Sequence, residues 1–400
     1  MTVMIRNQPQ TDPSAAVIAA AKAMAPLVRQ KALDGERLGT LVPELVQAFR
    51  DARFFGMYTP KSLGGLELDP LTMLRVIETI SAADGSAGWL SAAAIGAGGL
   101  LAYLKPSVVR EMLAGRNQLA IAGAASGNGS TILGPDGQLT ITGRWNFNSG
   151  CRHADWMFSG VIVSDEDGAP RKNYDRGPNW RMAFYPASEA EILDTWDVAG
   201  LRGTGSNDIA LHGVKVPEEY TTNPFMGCEY HDGPWWITPY FTGAAMQGLG
   251  VPLGIARGAI DELVVLATEK SRMIGGNEKL ASDVDVQISL GKAEALLESA
   301  RAFAVDAIGD AWRTACSGDA PSLAQRHRVQ LAAQQAMRAG IEAVDTVFHM
   351  AGGGTLSSKH HLQRAFRDIH AFRQHLFYNA DVWRRYSRGV FNIDQPTYNI

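Results

Sequence analysis

Two short segments of the 400-residue chain carry polar side chains and glycines at a spacing that suits ligand binding. A Ser-Gly pair stands at 149–150, and a glycine-rich stretch at 200–206 contains Arg202, Thr204 and Ser206. A hydroxyl donates and accepts hydrogen bonds, and an arginine in a loop with exposed N–H groups suits a phosphate or a carboxylate. The segments therefore predict a site for a polar or anionic ligand. A simple Ser-Gly turn and a surface arginine in a hairpin remain alternatives.

Two histidines, His370 and His375, lie in a C-terminal segment whose apolar periodicity predicts a helix. Five helical residues separate them by roughly 140°, so both reach one small target only if the helix bends or ends. An imidazole in a site can hold or transfer a proton near neutral pH. The adjacent His360 and His361 point apart on a helix, and we expect both to be solvated.

The elements that must position these residues fall into three zones. Residues 1–118 have apolar residues at helical spacing, broken by glycine and proline, and predict an N-terminal helical domain. Residues 119–235 have short alternating or β-branched runs, as in 131–143 and 208–217, and predict a middle β-barrel-like domain of antiparallel strands.

Residues 236–400 return to helical periodicity. Four long segments predict a C-terminal four-helix bundle, and they are 243–274, 282–317, 321–351 and 362–388. Gly275-Gly276-Asn277 and the stretch 318–321 are the expected breaks. The fold class predicted from the whole chain is mainly α with a central β-domain.

Composition excludes several classes of protein. Hydrophobic residues make up 46% and charged residues 20%, which is globular composition, and the net charge of −4 gives no reason to expect nucleic acid as a partner. No uninterrupted apolar run reaches the length of about 18 residues that a membrane span needs, and residues 1–14 read as a frayed leader rather than a signal peptide. The three widely spaced cysteines, Cys151, Cys228 and Cys316, are expected to be reduced thiols of a cytoplasmic protein.

Four motifs resemble those of the acyl-CoA dehydrogenase superfamily, whose domains follow in the same order. They are GRWNFNSG at 143–150, GLRGT at 200–204, VKVP at 214–217, and AGGG at 351–354 followed by Arg367-Asp368. The branch of flavin-dependent monooxygenases that hydroxylate phenols or oxidise dibenzothiophene is the most similar. That similarity adds DGSAGW at 84–89 and His370 with His375. The motifs are spread over all three zones, so the resemblance covers nearly the whole chain.

The resemblance implies a flavin site beside the first motif. Ser149 would hydrogen-bond the reactive edge of the ring, Gly150 would let backbone approach it, and Trp145 and Phe147 would lie against it. From the residues alone, Trp145 and Phe147 are equally typical of a strand core. His153 follows the motif closely and would at most contact the motif residues, not the flavin itself.

Two glycine-rich motifs are also implied to bind the cofactor. Arg202, Thr204 and Ser206 would contact flavin or substrate. Gly352, Gly353 and Gly354 would approach the phosphate end of the cofactor, often from a neighbouring subunit, although glycines after a long helix also serve as a helix stop.

The resemblance further implies the reaction. Leu376, next to His375, occupies the slot where acyl-CoA dehydrogenases often carry a glutamate base, and leucine cannot take the substrate α-proton. We therefore expect a monooxygenase that receives reduced FMN or FAD from a separate flavin reductase. It would form a C4a-hydroperoxide with dioxygen and oxygenate a small organic substrate, aromatic or heterocyclic. The catalytic candidates are His375, His370 and Ser149, with the imidazole holding the hydroperoxide or deprotonating a phenol.

One departure concerns the helix after the DGSAGW motif, which in the aromatic hydroxylases usually carries a histidine facing the substrate. Residues 92–101 are small and apolar here, so a larger or less polar substrate is expected. Trp235, Trp236 and Tyr240 either line that pocket or pack the bundle. Two other functions stay open: an FAD-dependent acyl-CoA dehydrogenase-like dehydrogenase or oxidase, and a scaffold that has lost catalysis. The motifs do not decide between FMN and FAD, and the resemblance implies a homotetramer.

Overall fold

The computed structural model describes residues 12–165, 168–169, 179–271, 278–378 and 380–395. Its first part is helical, as expected. Proline at the first turn, where its missing N–H costs nothing, begins every helix of this part except the fourth. The helices are α1 (Pro13–Leu38), α2 (Pro43–Asp51), α3 (Pro70–Ala83), α4 (Gly85–Leu100) and α5 (Pro106–Leu113).

The helix α4 joins the two hydrophobic cores of the molecule. Asp84 caps its N-terminus by accepting a 2.9 Å hydrogen bond from the backbone N–H of Ala87. Ile95 packs into the core of the helices, whereas Leu100 packs into the core of the strands. Within the described part of the chain, the segment Gly85–Tyr103 alone is long and apolar enough to cross a membrane, and 83% of it is buried inside the protein.

Two four-stranded sheets form the middle of the chain, in the orders β1-β4-β5-β8 and β2-β3-β7-β6. The strands are β1 (Ile121–Ala124), β2 (Ser130–Leu133), β3 (Gln138–Trp145), β4 (Trp156–Ile162), β5 (Trp180–Pro186), β6 (Glu191–Leu193), β7 (Asp208–Pro217) and β8 (Thr221–Thr222). The expectation of antiparallel strands is wrong for one strand pair, because β1 lies parallel to β4. The chain between them crosses to the other sheet to form β2 and β3, which lets it return in the same direction.

Long helices form the last part. They are α6 (Pro234–Ile237), α7 (Tyr240–Gly248), α8 (Gly250–Glu269), α9 (Val284–Cys316), α10 (Leu323–Ala351), α11 (His361–Phe372) and α12 (Asp381–Val390). The helix expected at 243–274 is two helices, α7 and α8, that meet at Leu249. Residues 272–274 of the expected helix lie outside the described residues, as do the expected breaks Gly275, Gly276 and Asn277.

The helix expected at 362–388 is also wrong, because α11 ends at Phe372 and α12 begins at Asp381. Tyr378 explains the break. Its ring is buried in the core of the helices, and its hydroxyl donates to the carbonyl of Gly248 at 3.1 Å. The guanidinium of Arg373 donates to the carbonyl of Tyr378. Tertiary packing thus overrides local helical propensity here.

Candidate functional site

A cleft of about 1620 Å³ opens beside α4, and residues of all three zones form its wall. Small side chains of α4 line one side, as expected for the apolar stretch 92–101. They are Ala92, Ala93, Gly96 and Ala97. Aromatic rings provide much of the remaining wall, and they include Trp89, Tyr103, Phe158, Trp180, Phe225, Trp236, Tyr240, Phe241 and Phe377. Such a wall suits a flat aromatic ligand.

A chain of hydrogen-bonded hydroxyls leads to the cleft. The indole N–H of Trp89 donates to Ser149 Oγ at 3.0 Å, and Ser149 Oγ lies 2.7 Å from Ser206 Oγ. Ser206 Oγ lies 2.7 Å from Thr204 Oγ1, whose hydroxyl donates to the carbonyl of Leu201 at 2.8 Å. A carbonyl only accepts, so we infer that the Thr204 proton goes to Leu201 and that the protons of Ser206 and Ser149 point along the chain, away from the cleft. Ser149 therefore offers the cleft a lone pair and no proton.

Close packing against α11 holds the loop that carries Thr204 and Ser206. A Cβ atom on Gly200 would lie 2.1 Å from the carbonyl oxygen of Arg367, so only glycine allows this approach. The carboxylate of Asp368 accepts the backbone N–H of Leu201 at 2.6 Å. The motif residues around 200 and 367 thus position the hydroxyl chain.

Buried charges reinforce that contact. The carboxylate of Asp84 lies 3.3 Å from Arg364, and both side chains are almost fully buried beside Asp368. Burial, and then the neighbouring Asp84 carboxylate, raise the pKa of Asp368 to about 7. On the other side of the loop, Glu36 of α1 pairs with Arg367 at 2.7 Å.

Arg202 belongs to the same ionic cluster and does not line the cleft. Its guanidinium lies 3.5 Å from Glu36 and donates to the carbonyl of Val198 at 3.0 Å. The structure therefore does not bring Arg202 to the cleft as a ligand for flavin or substrate. The partner that engages it is more than 160 residues away in the sequence, so no local pattern revealed it.

His375 lies in the wall of the cleft, where the turn after α11 carries it. Its ring packs against Trp89 and Phe377, with centroids 4.7 and 4.8 Å away. Burial lowers the pKa of His375 to about 4, so the imidazole is neutral at physiological pH. Its Nδ1 accepts the backbone N–H of Phe377 at 3.4 Å, which leaves the proton on Nε2.

His370 does not reach the cleft. Its Nε2 lies 2.8 Å from Asp345 of α10, and its ring packs on Phe366. The end of α11 between the two histidines is what separates them, so only His375 remains in the wall. The expectation that His360 and His361 are solvated is wrong for His361, which is buried and whose pKa burial lowers well below the usual range. His360 is half-buried.

The GRWNFNSG motif is not a strand throughout, because β3 ends at Trp145. Trp145 is fully buried in the core of the strands, and its indole N–H donates to the carbonyl of Gly160 at 2.9 Å. Phe147 has φ of 65° and is 64% exposed, with its side chain in the cleft wall. The two residues therefore do not share a core face, and of the pair only Phe147 is available to a ligand in the cleft. His153 is half-buried, and burial lowers its pKa to about 4.

Gly352, Gly353 and Gly354 follow the last turn of α10 and do not line the cleft. The ammonium of Lys270 donates to the carbonyl of Ala351 at 2.9 Å, next to these glycines. A role at the phosphate end of a cofactor held by a neighbouring subunit stays a prediction.

The polar residues of the cleft wall that sequence reasoning missed include Gln247 of α7 and Arg326 of α10. Both lie within helical periodicity with nothing to distinguish them from solvated positions. Of the three aromatic candidates, Trp236 and Tyr240 line the cleft, whereas Trp235 packs in the core and donates to the carbonyl of Leu68 at 2.8 Å.

Two family models match most of the helical parts of the chain. The model for the N-terminal domain of acyl-CoA dehydrogenases matches residues 14–115, and that for the C-terminal domain matches residues 247–380.

Two relatives are monooxygenases by name. The indole-3-acetate monooxygenase of Pseudomonas putida is 32% identical over 374 residues, which are 92% of each chain. The flavin-dependent monooxygenase oxygenase subunit HsaA of Mycobacterium tuberculosis is 28% identical and covers 90% of this chain and 91% of that one.

Solved structures share the fold over nearly the whole chain. XiaF from Streptomyces sp., in complex with FADH2 and glycerol, superposes with a TM-score of 0.87 at 22% identity, covering 95% of this chain and 96% of that one. TdsC from Paenibacillus sp., with FMN and indole, gives a TM-score of 0.79 at 21% identity and covers 96% and 99%. The fold expectation is thereby confirmed, and the chain belongs to the flavin-dependent monooxygenases of the acyl-CoA dehydrogenase family.

Proposed function

We propose that this chain is the oxygenase component of a two-component monooxygenase. It takes reduced FMN or FAD from a separate flavin reductase and transfers one atom of dioxygen to an aromatic or heterocyclic substrate in the cleft. The observation that carries the proposal is the row of hydrogen-bonded hydroxyls from Ser149 through Ser206 and Thr204 to the Leu201 carbonyl. With its proton directed to Ser206, Ser149 can accept a hydrogen bond from a ligand in the cleft but cannot donate one.

The residues of the cleft fit a reduced flavin. Atom N5 of reduced flavin carries a proton and donates, whereas N5 of oxidised flavin only accepts. Ser149 Oγ, with its own proton committed to Ser206, therefore pairs with the reduced form. The exposed ring of Phe147 and the small side chains of α4 leave room for flat rings.

Reduced flavin, when bound, supplies the two electrons that activate dioxygen, and the second oxygen atom leaves as water. His375 is the residue of this chain best suited to hold the oxygen being transferred. Its Nε2 carries a proton, and no hydrogen bond to that atom is found within the described part of the chain. Because its pKa is about 4, the imidazole is a hydrogen-bond donor rather than a base that deprotonates a phenol.

The wall of the cleft argues against acyl-CoA dehydrogenation. Removing an α-proton requires a base, and no Asp or Glu is among the described residues that line the cleft. Leu376, in the slot of the family glutamate, lies in the same wall and cannot serve.

We further propose a homotetramer, as the resemblance implies. The helix α12 supports it, because Trp383, Tyr386 and Val390 share one face and are 44%, 40% and 59% exposed. An apolar face on a terminal helix is typical of an interface between protein chains.

The test mixes the purified chain, loaded with photoreduced FMN or FAD, with oxygenated buffer in a stopped-flow instrument. We expect reoxidation through a transient that lasts far longer than in free flavin and that shortens in His375→Ala. Isolation as a colourless protein that needs added reduced flavin is also expected. Rapid reoxidation without a transient, in a protein purified with tightly bound yellow FAD, would instead indicate an oxidase or dehydrogenase.

A further inference from the structure

Trp89 of α4 contacts both functional side chains of the cleft wall. Its indole N–H donates to Ser149 Oγ at 3.0 Å, and the centroid of its ring lies 4.7 Å from that of His375. The ring also packs on Phe372 of α11, with the centroids 5.1 Å apart. Trp89 thus joins the acceptor proposed for the flavin to the donor proposed for the transferred oxygen.

The backbone that carries Trp89 is closely packed. Asp84 accepts the backbone N–H of Ala87 and so caps the first turn of α4, where Trp89 lies. A Cβ atom on Gly88 would lie 1.9 Å from Ser81 Oγ, so only glycine lets α4 approach α3 this closely. A side chain on so fixed a backbone can set the positions of the groups that it contacts.

The hydrogen bond from Trp89 completes the orientation of Ser149. A hydroxyl oxygen has one proton and two lone pairs. The proton of Ser149 is directed to Ser206 Oγ, 2.7 Å away, and the indole N–H occupies one lone pair. One lone pair is left on a side chain that lines the cleft, so a ligand there meets an acceptor with a fixed orientation.

The ring of Trp89 has a separate contact with His375. Aromatic rings pack on this imidazole from Trp89, Phe372 and Phe377. Packed rings exclude water, and burial lowers the pKa of His375 to about 4. Removing the Trp89 ring would therefore admit water to the imidazole, whereas removing only its N–H would not.

We propose that Trp89 is a positioning residue that orients Ser149 through its indole N–H and holds His375 through its ring. This inference rests on the proposed oxygenase function and names the residue that fixes the two groups relative to each other. Trp89 itself lines the cleft, so direct contact with the flavin is the alternative that the test must separate.

The first test titrates the protein, without oxygen, with oxidised and photoreduced FMN or FAD, whichever binds more tightly. Trp89→Phe removes the N–H and keeps an aromatic ring. It should weaken reduced flavin relative to oxidised flavin by about two- to tenfold, the value of one neutral hydrogen bond, because oxidised N5 has no proton to give Ser149. In a Ser149→Ala background the same substitution should leave the ratio unchanged, because no hydroxyl remains to be oriented.

Trp235→Phe is the matched control. Trp235 also donates its indole N–H, to the carbonyl of Leu68 at 2.8 Å, but it packs in the core and does not line the cleft. The control loses the same kind of hydrogen bond and should keep the affinity ratio. An unchanged ratio in Trp89→Phe, an equal change in the control, or an effect of Trp89→Phe that persists in Ser149→Ala would overturn the proposal.

The second test follows the titration of His375 in flavin-free protein by NMR of the histidine rings, with His375→Ala identifying the signal. Trp89→Leu removes the ring and should raise the pKa of His375 from about 4 towards 6.5, whereas Trp89→Phe should leave it near 4. A pKa that stays near 4 in Trp89→Leu would overturn the proposal. If Trp89→Leu does not fold, the first test alone decides.

Neither test needs oxygen or substrate, so both are independent of the stopped-flow experiment. Loss of the long-lived transient in the wild-type protein would overturn the oxygenase function. A normal transient together with failure of either test would overturn only the role of Trp89.

Discussion

Replacing Ser206 by alanine should turn the Ser149 hydroxyl proton from Ser206 towards the cleft. In the wild-type protein, Ser206 Oγ takes that proton at 2.7 Å, because its own proton goes to Thr204. Without the Ser206 hydroxyl, Ser149 is free to donate into the cleft, where it would stabilise the unprotonated N5 of oxidised flavin. The variant should therefore bind oxidised flavin better relative to reduced flavin.

The magnitude is that of one neutral hydrogen bond. Its net contribution of about 0.5–1.5 kcal/mol corresponds to a change of roughly two- to twelvefold in the ratio of the two affinities. For a two-electron couple, the upper limit corresponds to a potential of the bound flavin that is lower by about 30 mV. Thr204→Val should act in the same direction, because it frees the proton of Ser206 to point back at Ser149.

The assay is a redox titration of bound FMN with a reference dye, together with titrations of oxidised and reduced flavin. Ser91→Ala is the matched control, because the Ser91 hydroxyl donates to the carbonyl of Ala87 within α4 and lies outside the chain of hydroxyls. An unchanged affinity ratio in Ser206→Ala, or a higher potential, would refute the proton directions deduced here.

Three other predictions concern stability and assembly. Asp368→Ala should lower the free energy of unfolding in urea by about 1–3 kcal/mol, because it leaves the buried backbone N–H of Leu201 without its acceptor. Asp368→Asn should cost less. Since the folded pKa of Asp368 is about 7 and the unfolded value is 3.8, the wild-type protein should lose stability relative to Asp368→Asn as pH rises from about 4 to 7, and a flat difference would contradict the raised pKa. The folded pKa of His375 is about 4, below the value of 6.5 in the unfolded chain, so the stability that the neutral imidazole contributes is lost as pH falls from 6.5 to 4. His375→Asn should flatten this acid slope in urea titrations, and an equally steep slope in the variant would show that His375 is protonated in the fold. Trp383→Glu combined with Val390→Glu should lower the mass measured by light scattering, because it places charge on the exposed face of α12, and an unchanged mass would exclude that face as the interface.

Periodicity predicted the sequence of helices, strands and helices well, because each buried face repeats over many residues. It could not give the parallel pairing of β1 with β4, since strand direction depends on a crossover that no local pattern records. It also missed the end of α11. The segment around Tyr378 contains no glycine or proline. The buried ring of Tyr378, whose hydroxyl donates to the carbonyl of Gly248, ends the helix instead.

The motifs pointed to residues of the candidate cleft better than they assigned the contacts of each residue. Ser149 and His375 do lie in the cleft wall, but Arg202 is engaged by Glu36, and Trp145 is a core residue. Residues required at a site need not touch the ligand. The residues around position 200 act by fixing the conformation of the loop, which holds the hydroxyls of Ser206 and Thr204 next to Ser149.

The hydrogen-bond donors and acceptors of the cleft wall indicate which flavin reaction the cleft fits. Ser149 presents a lone pair without a proton, whereas His375 presents a proton without a protein acceptor among the described residues. A carboxylate base is missing from the described wall, so abstraction of a carbon-bound proton has no acceptor there. A protonated N5 on the flavin would meet the lone pair, and an oxygen atom of the reacting group would meet the proton. The arrangement is therefore complementary to oxygen transfer from reduced flavin, and it fits hydride abstraction by oxidised flavin poorly.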